Sequence, residues 1–263
     1  MPKNENVILE VSNLVANLTI NREAARNSLS RETLHELLDC INEIKASPLA
    51  NIRLVILRGA GDKAFVAGAD IKLMQSAPIG ELNDFIALGQ TVMSKLEELQ
   101  QPVISVIDGF ALGGGLELAL AGDLIIATER AKLGQPEVAL GLIPGFGGTQ
   151  RLGARVGMGT AKRLIFLGET VSGEEAYRIG LADFYVNSSE VAAKVSEITS
   201  TLLAKGPLAI AAAKRATQST FAKNMLAGLE REVGEFVELF KHSDTKEGLT
   251  AFVEKRAAVF TAK

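Results

Sequence analysis

The sequence runs to 263 residues, 47% of them hydrophobic, enough to bury one full core with an appendage. A formal net charge of −3 leaves no electrostatic footprint for nucleic acid or an acidic membrane surface. The single cysteine, Cys40, excludes a disulfide framework and a cysteine-based zinc site, and reads as a small buried hydrophobe in a reducing cytosol.

The opening residues, MPKNENVILEV, lack the apolar stretch of a signal peptide. Glu117, Asp123 and Glu137 interrupt the longest apolar runs, so none reaches the length of about 18 residues that a membrane span needs. A soluble, cytoplasmic protein is expected.

Val7 to Val11 and Leu14 to Ile20 read as two strands of a hairpin joined at Ser12-Asn13. Ser30 is placed to cap a helix whose apolar positions Leu34, Leu37, Leu38, Ile41 and Ile44 follow helical spacing. Leu54 to Leu57 is a β-rich apolar run of the kind buried on both faces. A glycine-containing loop, Gly59 to Asp70, leads to a helix near Ile71. Leu82, Phe85, Ile86, Gly89, Val92, Met93, Leu96 and Leu99 trace the packed face of a long helix. Pro102 opens a strand over Val103 to Ile107, and Leu124 to Ala127 is the next one. This strand, loop, helix order predicts α/β architecture.

From about Thr149 the pattern is mostly helical, with one more strand over Ala182 to Val186. Helices are predicted over Ser189 to Lys205, Leu208 to Phe221 and Leu226 to His242. A last one begins at Asp244, with Glu247 three residues on as a variant capping box. Lys205-Gly206-Pro207 marks a boundary between residues 1–205 and a helical C-terminal region, 206–263. The apolar Phe236, Val237, Phe240, Leu249, Phe252, Val253 and Phe260 of that region need a surface to pack on, for which a neighbouring subunit is a candidate.

Two glutamates carry the chemistry. Glu117 and Glu137 lie within apolar runs, and Gly113, Gly114 and Gly115 precede the first. A buried carboxylate is costly unless paired or protonated. Glycines at the start of a helix let its free amides approach an oxygen that carries negative charge. Ala67-Gly68-Ala69-Asp70 offers a second turn with an amide to give.

Other chemistries fall away. His35 and His242 have no partner at metal-ligand spacing, and no G-x-S-x-G elbow is present. GFALGGGLE does not fit G-x-G-x-x-G, and no G-x-x-x-x-G-K-[ST] occurs. Glycosidases also pair carboxylates, but sugar sites stack rings on aromatic side chains, and this chain has no Trp and two Tyr. Acid–base catalysis beside an oxyanion hole is what remains. The residues alone leave a structural origin for either glutamate open.

AFVAGADI (Ala64 to Ile71), GFALGGGLELALAGD (Gly109 to Asp123) and GQPEVALGLIPGFGGTQRL (Gly134 to Leu152) resemble the crotonase (enoyl-CoA hydratase/isomerase) superfamily. GEEAYRIGLAD (Gly173 to Asp183) and EGLTAFVEKR (Glu247 to Arg256) extend the likeness nearly end to end. The chain is most similar to short-chain enoyl-CoA hydratases.

The resemblance implies a spiral of repeated ββα units over residues 1–205 and a trimerisation region over 206–263, assembled as a homohexamer, a dimer of trimers. It implies oxyanion amides at Ala69 and Gly114, and a catalytic pair in Glu117 and Glu137, twenty positions apart as in the family. Glu117 would orient and activate water, and Glu137 would protonate the α-carbon. Substrate contacts are expected from Ala67, Gly68, Asp70 and Ile71, from Lys72 toward the CoA phosphates, and from Gly145 at the water site. Phe252 and Lys255 are expected to touch CoA bound to a neighbouring subunit. No cofactor is implied, because CoA arrives with the substrate, and the setting is fatty acid β-oxidation.

The reaction expected is reversible hydration of a trans-2-enoyl-CoA to a 3-hydroxyacyl-CoA. The NSLS segment at Asn27 to Ser30 also resembles 3-methylglutaconyl-CoA hydratases of leucine breakdown, and an enoyl-CoA isomerase is a further alternative. One hydratase subgroup has been associated with RNA. The stripe Lys205, Lys214, Arg215 and Lys223 is the feature that would serve such binding, against an acidic balance that predicts no nucleic-acid partner.

Overall fold

Apolar runs that alternate with helical segments assemble into two sheets in the computed structural model, which describes residues 5–259. Within that range the side chains at 72, 76, 219–224 and 226–228 are not described. The larger sheet holds β1 (Val7–Ser12), β2 (Val15–Ile20), β3 (Leu54–Gly59), β5 (Val103–Ile107), β7 (Leu124–Thr128) and β10 (Phe184–Val186), in that spatial order. Only the β1–β2 hairpin is antiparallel, and it turns through Asn13 and Leu14 at φ of 50° and 69°. The other pairs are parallel. All five residues of β5 are buried, as expected for a parallel strand covered on both faces.

The smaller sheet, β4 (Ala64–Val66), β6 (Phe110–Leu112), β8 (Lys132–Gly134) and β9 (Thr170–Ser172), is where the structure departs from the sequence expectation. Each strand has three residues, too short to show a period of two, and β4 lies inside what reads as the Gly59 to Asp70 loop. Three long strands are each followed by a short one, β3 by β4, β5 by β6 and β7 by β8, so the chain advances through one sheet and then the other. Helices close each turn: α2 (Ile71–Ser76) and α3 (Ile79–Glu97), then α4 (Gly114–Leu120), then α5 (Gly148–Val156) and α6 (Met158–Leu167). This is the expected spiral of ββα units.

The main core lies between the larger sheet and the helices, α1 (Arg31–Ala46) among them, with Ser30 capping α1 through the Thr33 N–H. On the opposite face Val15, Ile56, Ile104 and Ile126 meet Val191, Val195 and Ile198 of α8 (Val191–Leu203). α7 (Gly173–Arg178) leads toward β10.

Two helical expectations are corrected. Leu208 to Phe221 and Leu226 to His242 form one 33-residue helix, α9 (Pro207–Leu239), because no glycine or proline breaks the chain between them. The last helix, α10 (Ser243–Glu254), starts after His242 with no side-chain cap bond. Glu247 instead accepts from Arg256 and from the Val259 N–H. Phe236 and Leu249 are buried within the chain, Phe252 and Val253 are exposed, and Phe260 lies outside the described residues.

α9 is tied to the spiral by Lys214, which is buried. It pairs with Asp123 at 2.6 Å and donates to the Gln101 carbonyl at 3.0 Å. The basic stripe is therefore not a surface feature at Lys214, and the Lys223 side chain is outside the described set.

α4 lies against β4 so closely that a Cβ on Gly115 would overlap the Val66 carbonyl oxygen. Gly115→Ala is expected to lower stability by about 1–3 kcal/mol through overpacking. That loss exceeds the helix-propensity gain of about 1 kcal/mol. A urea midpoint at or above that of the unmodified chain would show that β4 and α4 can separate.

Candidate active site

The spiral brings the β4–α2 turn, the start of α4 and the segment 134–148 around one cavity of about 310 Å³. Ala67, Gly68, Ala69, Ile71, Gly114 and Gly145 line it, with both Glu117 and Glu137. Gly113 adopts φ of 51°, which sets the first turn of α4, and a Cβ there would lie 3.0 Å from Glu137 Oε1. A Cβ on Gly114 would lie 3.4 Å from the Ala69 nitrogen, so the two candidate oxyanion amides face one region. Among the described residues no hydrogen bond uses the N–H of Ala69 or of Gly114. Two open donors at the mouth of a helix suit an oxygen acquiring negative charge.

Glu117 is 2% exposed. Its Oε1 accepts from the Phe146 and Gly148 N–H groups, both at 2.7 Å. Glu137 opens a short 3₁₀ turn, Glu137–Leu140, after Pro136. The buried Gln135, its carboxamide turned nitrogen-first, donates to Glu137 Oε1 at 2.8 Å and Oε2 at 3.2 Å.

Burial raises Glu117 well above the usual carboxylate range. The charges of Glu232 and Glu137 push the same way, and the Gly148 and Phe146 amides oppose them. Burial also pushes Glu137 up to about 8, with its own N–H opposing and the Glu232 charge reinforcing. At neutral pH this cluster holds protons that exposed carboxyls would have lost.

The remaining expectations divide. Phe252 lines the cavity of its own chain, where α10 packs on the Glu137–Leu140 turn. Thr245 Oγ1 donates to the Gly141 carbonyl at 3.0 Å, and a Cβ on Gly248 would strike the Leu140 carbonyl. Lys255 ends α10 at φ of 56° and is not among the described lining residues. Asp70 is not among them either. Its carboxylate accepts from the Leu73 N–H at 3.4 Å, and its own N–H donates to the Leu29 carbonyl. The Lys72 side chain lies outside the described set.

Arg26, Phe146 and Phe236 line the cavity and escaped the sequence reading, as did Gln135 behind Glu137. For Gln135 a signal was present, since it directly precedes Pro136-Glu137. For Phe236 there was none beyond an apolar position on a helix.

The raised Glu137 has a consequence for stability. Its ordinary value is 4.5 and its folded value about 8, so the folded chain binds this proton more tightly than the unfolded chain. The associated stability is complete below about pH 4.5 and is lost as pH rises toward 8. Glu137→Gln removes that dependence. Its thermal midpoint is expected to exceed that of the unmodified protein at pH 8, and the two should converge near pH 5. A difference that widens toward acid would contradict the assignment.

The family model described as enoyl-CoA hydratase/isomerase matches residues 10–263. A crotonyl-CoA hydratase of Syntrophomonas wolfei is 44% identical over 259 residues, covering 98% of this chain and 99% of the relative. A short-chain-enoyl-CoA hydratase of Clostridium acetobutylicum is 45% identical over 251 residues, 95% of each chain. The crystal structure of an enoyl-CoA hydratase from Bacillus anthracis aligns with a TM-score of 0.79 at 39% identity, covering 98% of this chain and 100% of that one. With the two-sheet spiral and the cavity between its turns, these matches settle the ancestry: the chain belongs to the enoyl-CoA hydratase/isomerase family.

Proposed function

We propose that this protein is a hydro-lyase that adds water reversibly to a trans-2-enoyl-CoA to give a 3-hydroxyacyl-CoA. The observation that carries the reading is the pair of carboxyls, buried Glu117 and half-buried Glu137, in one cavity with the open amides of Ala69 and Gly114. Relatives named as crotonyl-CoA and short-chain-enoyl-CoA hydratases support it.

The thioester oxygen sits between the Ala69 and Gly114 N–H groups. Water attacks the β-carbon, the π electrons move toward the α-carbon and the thioester oxygen, and the two amides stabilise the enolate character that develops. Each donor contributes about 3–4 kcal/mol when tested by removal. Glu117 takes the proton that water loses. In its ionised form Glu117 accepts at Oε1 from the Phe146 and Gly148 N–H groups. Glu137, pushed up to about 8, carries a proton at neutral pH and delivers it to the α-carbon. Oxygen binds the β-carbon and hydrogen the α-carbon, so one water is added. The two carboxyls have exchanged protonation states, and proton transfer between them or with solvent resets the site. Neither a metal nor a redox group enters the balance.

The lining near the carboxyls favours an aliphatic acyl group: Met74, Ile86, Leu142 and Phe236 are apolar. Arg26 is the one cation among the described lining residues. Its carbonyl accepts from the Ala67 N–H at 3.0 Å, which puts its backbone beside the thioester end. A carboxylated acyl group such as 3-methylglutaconyl finds less support here. An isomerase needs only to move a proton between carbons, and two enclosed carboxyls suit water addition better.

The same reading includes a homohexamer with residues 206–263 as the trimerisation region, and the exposed apolar Phe166, Leu167 and Leu208 support an assembly that covers them. It also includes a cytoplasmic location and a part in β-oxidation; Cys40 is buried.

Hydration of crotonyl-CoA, followed as loss of the conjugated enoyl-thioester absorbance, tests the proposal. Glu117→Gln and Glu137→Gln are each expected to lower kcat by about 10²–10⁴-fold. Full turnover in Glu117→Gln would remove water activation from that residue. No turnover by the unmodified protein would reject a short-chain substrate.

A further inference from the structure

A third carboxyl lies behind the cavity and has no part in the chemistry above. Glu232, on α9, is 2% exposed. Its Oε1 accepts from the Gly147 N–H at 2.5 Å and from Gln90 Nε2 at 3.2 Å. Its Oε2 accepts from the Thr149 N–H at 3.0 Å and from the Thr149 hydroxyl. Four donors converge on a side chain that the sequence pattern would leave on a solvated helix face.

The donors come in alternation. Along residues 146–149 the N–H groups of Phe146 and Gly148 point to Glu117, and those of Gly147 and Thr149 point to Glu232. The segment is thus a short strap held from both sides by carboxyls on different helices, α4 and α9. Gln90 of α3 ties its beginning, donating to the Gly145 carbonyl at 3.1 Å while it also reaches Glu232. Arg151, committed to Glu97 at 3.0 Å, donates to the Phe146 carbonyl at 3.1 Å. Gly147, at φ of 102°, provides the backbone shape that makes successive amides diverge.

We infer that Glu232 is a positioning residue for the hydration step: it holds the 145–149 strap in the one register in which Phe146 and Gly148 grip Glu117. Successive amide groups along four residues cannot re-aim independently, because each planar peptide links one donor to the next. Release of Gly147 and Thr149 from Glu232 frees the strap to rotate, and the Glu117 carboxylate loses the aim that its two amides impose. Misplacement by about 1 Å of a group that acts on a reacting atom costs about 10²-fold in rate. The inference rests on the reading of Glu117 as the group that activates water.

The test uses the full chain and crotonyl-CoA, with kcat and KM measured separately and the thermal midpoint recorded for each variant. Glu232→Ala is expected to lower kcat by about 10²-fold, with KM changed by less than about threefold. Glu232→Gln fills the same space and keeps an acceptor for Gly147, so its loss is smaller, about 10-fold, and it carries the test if the alanine variant does not fold. The decisive comparison is the Glu117→Gln background. If Glu232 acts through Glu117, Glu232→Gln lowers kcat no further there, because residues that work as a unit are not additive. Unchanged kcat in Glu232→Gln, or losses that multiply in the double variant, overturns the inference while leaving the hydratase reading in place. Full activity in Glu117→Gln alone removes that reading, and this inference with it.

Discussion

The whole arrangement depends on how a carboxyl can be kept away from water. Burial of an ionised carboxylate without partners costs several kcal/mol, so the chain must give back hydrogen bonds or let the group hold its proton. Here it does both. Glu117 receives two backbone donors and Glu232 receives four, while Glu137 is pushed up to about 8. The glycines around the cavity serve the same need. Residues 113, 114 and 115 lie against Glu137, the Ala69 amide and the β4 backbone in turn, and a side chain at any of them would fill space that polar atoms use.

The spiral makes this economical. Because each long strand of the larger sheet is followed by a short strand of the smaller one, the connections after β4, β6 and β8 emerge on the same side. Segments separated by dozens of residues in sequence then surround one cavity, and no long loop is needed to carry them there. The two cavity carboxyls are placed by a helix start on one side, packed against β4 and β6, and by a 3₁₀ turn on the other, packed against α6 and α10.

Much of this was legible in the sequence, for identifiable reasons. The long strands announced themselves as β-branched runs with turn residues at their ends, and Ser30 signalled the start of α1. Glu117 and Glu137 stood out because charge within an apolar run demands an explanation. The three-residue strands could not be read, since their pairing is decided by neighbours distant in sequence. Glu232 was invisible for a related reason. In LEREVGEFVEL it looks like one of several glutamates on a water-facing helix, and its burial depends on a strap 85 positions away. Lys214 misled in the same manner, as a surface charge that in fact neutralises Asp123.

The bond between Glu232 and Gly147 also bears on the order in which the molecule is made. The strap is synthesised well before the helix that fixes it, and at a ribosomal pace of about 5–20 residues per second the interval lasts several seconds. During that time the spiral's parallel strands can already pair, whereas the amides that hold Glu117 have only one of their two carboxyl neighbours. Completion of the catalytic pocket is therefore tied to docking of the last quarter of the chain, so a nascent molecule acquires its sheets before it acquires its chemistry.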